Sequence, residues 1–61
     1  MTANDVPPDV LAKVRRLKSY FPYRIAWAVY SPTQKRWDTG IDKNRRRINK
    51  RLRAGELVFT L

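Results

Sequence analysis

At 61 residues, with no cysteine and no histidine, the chain has length for one domain and no side chains for a disulfide framework or a zinc site. Its formal net charge is +9, from 14 Lys and Arg against five Asp and Glu. Such a charge repels itself in the compact state and calls for an anionic partner. A hydrophobic content of 43% excludes a purely disordered basic tail.

Residues 1–6 are expected to be a disordered N-terminal end. From there "PPDVLAKVRRLKSYF" reads as a helix. Pro8 suits the first helical position, and Asp9 suits the positive helix start. Val10, Leu11, Val14, Leu17 and Phe21 recur at helical spacing on one face. Lys13, Arg15, Arg16 and Lys18 fall mostly on the rest of the surface. Pro22 ends the helix, because it disfavours helical geometry at Phe21 and has no backbone N–H to donate.

"YRIAWAVYS" is rich in aromatic and β-branched residues and alternates by twos, which predicts a strand. Ile25, Trp27 and Val29 share one face, and Arg24, Ala26, Ala28 and Tyr30 share the other. "SPTQ" is a turn with Pro32 at a favoured position, and "KRWDTG" returns as the second strand of a hairpin. Pairing Ser31 with Lys35 would set Val29 opposite Trp37 on the core face and Tyr30 opposite Arg36 on the other. The loop has no glycine to fix that register. Gly40 is expected to break the strand. Asp42 is a candidate N-cap for an arginine-rich helix, and Gly55 is its candidate stop. "ELVFTL" closes the chain as a short strand with Leu57, Phe59 and Leu61 on one face.

The order α-β-β-α-β predicts an α+β fold in a single domain, 1–61. Its form would be a small two-layer sandwich. A three-stranded antiparallel sheet, in spatial order 2-1-3, would carry both helices on one face. Ile25, Trp27, Val29, Trp37, Leu57 and Phe59 would point inward to meet Val14, Leu17, Ile48 and Leu52.

The densest charge lies between Lys43 and Arg53, where seven residues are Lys or Arg and no acid interrupts the run from Asp42 to Glu56. On a helix over 43–54, Ile48 and Leu52 fall on one side. Lys43, Arg46, Lys50 and Arg53 line the other, with Arg47 beside them. Like charges at three- and four-residue spacing destabilise an isolated helix by about a few tenths of a kcal/mol each, and an anionic partner would remove that penalty. The planar fork of arginine matches phosphate oxygens. A ridge of about 15 Å suits a DNA major groove. The candidate nucleic-acid-binding residues are therefore Lys43, Arg46, Arg47, Asn49, Lys50 and Arg53. Asn49 flanks the ridge, and its amide can bond adenine through two hydrogen bonds. Asn44 leans to the buried side and suits the helix start. Arg24, Tyr30 and Arg36 are secondary contacts on the sheet face away from the helices. There Ala26 and Ala28 leave a shallow surface for stacking bases or, with Val58, for a homodimer.

A catalytic centre is not expected. There is no glycine-rich phosphate loop, and the acids are too few and scattered for metal-dependent nuclease chemistry. Neither a metal nor a cofactor is called for. No run approaches the roughly 20 apolar residues of a membrane span, and the polar start "MTANDVPPD" lacks the design of a signal peptide. The expectation is a cytoplasmic nucleic-acid-binding protein, with duplex DNA favoured over RNA, acting as an accessory or regulatory protein and forming a homodimer. The competing class is an adaptor or inhibitor whose ridge binds an acidic surface of an enzyme or polymerase.

Overall fold

A computed structural model describes all 61 residues. A 3-10 turn, Ala3–Asp5, is followed by α1 (Pro8–Tyr20), β1 (Ile25–Ser31), β2 (Arg36–Asp42), α2 (Arg45–Arg51) and β3 (Leu57–Thr60). The three strands make one antiparallel sheet in the order β2-β1-β3. The α-β-β-α-β order and the central place of β1 are those the sequence predicts, and the fold is a small α+β domain.

The layering differs from the expected sandwich. The helices lie on opposite faces of the sheet, so the sheet is a middle layer. Val10 and Val14 of α1, with Val6 before them, pack with Ala26, Ala28 and Phe59. Ile48 of α2 packs with Trp27 and Val29 on the other face. The cause is in β1, where no polar residue interrupts Ile25–Val29 and all of Ala26, Trp27, Ala28 and Val29 are buried. A strand that is apolar on both faces needs cover on both. The two alanines leave room for α1 to approach closely. On the opposite face Trp27 and Val29 fill most of the space themselves, and the short α2 completes it. Because β2 and β3 both oppose β1, they are parallel to one another, and α2 is the crossover between them.

The hairpin register is one residue away from the expected one. Ser31 pairs with Arg36, Tyr30 with Trp37 and Val29 with Asp38. The loop is a residue longer than expected, and Lys35 takes a left-handed backbone with φ 53°, a role that glycine fills more readily. Since strand faces alternate, the slip moves Trp37 from the Val29 face to the alanine face. There its ring centre lies 5.2 Å from that of Tyr30. Phe59 pairs with Ala28 and joins the same face, while Leu57 is exposed rather than inward.

Two further expectations give way. Gly40 lies inside β2 rather than ending it, beside Trp27. A Cβ there would collide with Cζ2 and Cε2 of the indole, so the glycine serves a close approach of side chain to backbone. Nor are residues 1–6 a frayed end. The backbone N–H and the hydroxyl of Thr2 donate to Oδ2 of Asp5 at 3.0 and 3.2 Å, and Val6 is only 5% exposed.

Candidate nucleic-acid interface

The arginine-rich segment is helical only over Arg45–Arg51, about 10 Å of helix rather than 15. Asn44 caps it, not Asp42. Its Oδ1 accepts the Arg47 backbone N–H at 3.0 Å, satisfying one of the free donors of the first turn. Asp42 Oδ1 accepts instead from the Lys43 N–H at 2.9 Å. The chain leaves the helix at Leu52, whose backbone is extended. Oε1 of Glu56 accepts the Arg53 backbone N–H at 2.7 Å, and Gly55, with φ 84°, turns the chain back into β3. Ile48 is fully buried and Leu52 half-buried, so both anchors of the expected apolar stripe face the sheet.

Lys43, Arg45, Arg46, Arg47, Lys50, Arg51 and Arg53 are all exposed. The one ion pair in the molecule joins Arg36 to Asp38 at 3.7 Å, so no carboxylate neutralises any of these seven cations. Two have other attachments. Arg45 donates from Nε to Oδ1 of Asn49 and from Nη1 to Oγ1 of Thr60, each at 3.2 Å. The guanidinium carbon of Arg51 lies 4.2 Å from the centre of the Trp27 ring, a cation–π arrangement. Asn49 is exposed, but its carbonyl is taken by Arg45. Two-point contact with adenine would require Arg45 to release it.

Arg24, Tyr30 and Arg36 do not converge. Arg24 lies in the loop before β1, and its carbonyl accepts from Nζ of Lys18 at 2.8 Å. Tyr30 packs against Trp37 on the α1 side with the two rings tilted by 51°, whereas Arg36 borders the Trp27 side. The shallow alanine face expected to bind bases or a second copy is closed. Ala26 and Ala28 are 0% exposed, beneath α1, and Val58 packs on the opposite, α2 side.

The sequence reading missed a groove of about 560 Å³ between the end of α2 and β2. It brings Arg36 and Asp38 of β2 alongside Lys50, Arg51 and Arg53, with Trp27 at its wall. Register was the missing signal, since the expected pairing puts Arg36 on the wrong face. No three His, Cys, Asp or Glu side chains gather as metal ligands, and no helix is long and apolar enough to cross a membrane. No protein-family model, curated protein or solved structure matches the chain.

Proposed function

We propose that the protein binds nucleic acid through the outer face of α2 and its flanks, with Lys43, Arg46, Arg47, Lys50 and Arg53 on backbone phosphates. The observation that carries this reading is seven exposed cations within eleven residues, none held by a carboxylate. Arginine forks and lysine ammonium groups left in that state match phosphate oxygens in charge and in hydrogen-bonding sense, all donors against all acceptors. Binding of this kind releases counterions and is sequence-independent in its main term. Duplex DNA is the favoured form, because a helix standing proud of a sheet can enter the major groove. The role is that of an accessory or regulatory protein.

The experiment is a titration of duplex DNA at several salt concentrations with the parent and with the Arg46→Ala, Lys50→Ala, Arg53→Ala triple variant. Each lost phosphate contact lowers the slope of log affinity against log salt by about 0.9, so the variant should lose roughly two to three units. An unchanged slope and affinity would move the contact to Arg15, Arg16 and Lys18 on α1, across the sheet. A parent protein that binds no nucleic acid even at low salt would end the reading in favour of an acidic protein surface.

A further inference from the structure

The groove between α2 and β2 is lined by more cationic donors than carboxylates. Lys50, Arg51 and Arg53 enter it with no carboxylate partner. Nε1 of Trp27, on a residue only 3% exposed, is a buried donor without an acceptor. Buried donors are nearly always paired in native proteins, and one left unpaired marks a strained site or a place for an absent acceptor. The two carboxylates of the lining are already engaged. Asp38 faces Arg36, and Glu56 receives the Arg53 backbone N–H. Counting four cations against these two carboxylates leaves two positive charges in excess among the lining residues.

We propose that this groove is a binding site for a phosphomonoester, held by Lys50, Arg51 and Arg53 and by the Trp27 indole N–H. Charge separates this ligand from an ordinary backbone phosphate. A monoester carries a charge of about −1.5 to −2 near neutral pH, which balances the groove, whereas a backbone diester carries only about half as much. Size is permissive, since pockets of roughly 300–1,000 Å³ take small organic ligands. Arg51 is the gate. It roofs the indole by cation–π contact, is itself exposed, and has no ion pair to break when it swings onto an anion. The phosphate has two sources, the terminal phosphate of a nucleic-acid strand or a free nucleotide. Only the first rests on the nucleic-acid reading above.

The test follows the Trp27 indole N–H resonance of the full ¹⁵N-labelled chain, assigned through its contacts with Gly40. The ligands are a nucleoside, its 5′-monophosphate, and two duplexes of one sequence, 5′-phosphorylated and 5′-hydroxyl. The resonance should move saturably with the phosphorylated ligands and stay put with the nucleoside and the 5′-hydroxyl duplex. The phosphorylated duplex should bind about tenfold more tightly than its hydroxyl counterpart, as charge-assisted hydrogen bonds of this kind provide, and Arg51→Gln should abolish that difference. Movement with the monophosphate, but equal binding of the two duplexes, assigns the site to free nucleotides. An indole resonance unmoved by every phosphorylated ligand, or moved equally by the 5′-hydroxyl duplex, overturns the proposal. Salt-dependent binding of both duplexes at equal affinity, with no indole shift, would leave the ridge reading standing and the groove without a role.

Discussion

On one side of the sheet α1 runs for 13 residues and buries Val10 and Val14; on the other, α2 runs for seven and buries Ile48 alone. Their charges differ as well. α1 carries Asp9 in its first turn, where the helix dipole favours an acid, while α2 has no acid there and begins with Arg45, Arg46 and Arg47. By local propensity α2 is a poor helix: short, self-repelling and charged against its dipole at the start. What holds it is the Asn44 cap and the docking of Ile48 with Leu52 against Trp27, Val29 and Val58. The compensation comes from the cap and from packing rather than from the helix's own charges. α1 behaves as a part of the core, and α2 as a platform that presents cations.

Trp27 is the residue on which the α2 side depends, and Trp27→Ala breaks the comparison hardest. Removing a buried indole costs about 3–5 kcal/mol. At about 0.05–0.15 kcal/mol per residue, a chain of this size has about 3–9 kcal/mol in all. The variant should be largely unfolded by circular dichroism at room temperature, and a parental melting temperature would remove Trp27 from the core.

Ile48→Ala should cost about 2–5 kcal/mol, and it separates the two layers. If α2 is attached by this one side chain, hydrogen exchange should accelerate first at Arg45–Arg51 and in β3. Amides of α1 and β1 should follow only with global unfolding. Uniform acceleration across both helices would show the layers to be one cooperative unit. Gly40→Ala comes next, at about 1–3 kcal/mol, because the new methyl group forces the indole from its place. A chemical melt reads that loss directly.

Much of this contrast was legible in the sequence, and the rest failed for definable reasons. Helical spacing located Val14 and Leu17 on one helix and Ile48 and Leu52 on the other. It could not say that they meet different sides of the sheet. The clue was the run Ile25–Val29, apolar at every position and so needing two covers, although its alternation of large and small residues invites a one-sided reading. The hairpin register turned on a single non-glycine residue, Lys35, adopting positive φ, which propensity disfavours. That one slip reassigned Trp37 and Arg36 together. The exposure of the basic run was legible because charge density needs no register, although only Arg45–Arg51 of it is helical. The groove was not legible, because it is assembled from residues distant in sequence.

The ridge itself should matter little to folding. Arg46→Ala, Lys50→Ala and Arg53→Ala remove exposed side chains that make no ion pair, and surface changes of this kind stay within about 0.5 kcal/mol each. Relief of like-charge repulsion along α2 should make the sum stabilising at low salt, and the gain should fade as salt is added. A marked fall in melting temperature for the triple variant would mean that these cations help to hold α2 and are not a free binding surface.

The smallest effect lies at the N-terminus, on the α1 side, and depends on pH. The Thr2 backbone N–H, and then its hydroxyl, donate to Asp5 and hold its carboxyl below the ordinary value of 3.8. A carboxyl with a lower pKa in the folded chain stabilises the fold above its unfolded value, and that contribution is lost as the pH falls through the folded one. Asp5 is fully exposed, so the contribution is slight and local. Its effect reaches the core through Val6, the residue that the turn delivers against Val10 and Phe59. Asp5→Asn should therefore loosen the amides of Ala3–Val6 at neutral pH while leaving α2 and its ridge untouched. The gap between parent and variant should begin to narrow as the pH falls below the ordinary value of 3.8 and close only below the lower value in the folded chain, where the parent also carries an uncharged side chain. Exchange rates at those amides, followed across acid pH, check this. A difference that persisted below the titration would show that the amide substitution acts through shape, and that the charge on Asp5 has no part in seating Val6.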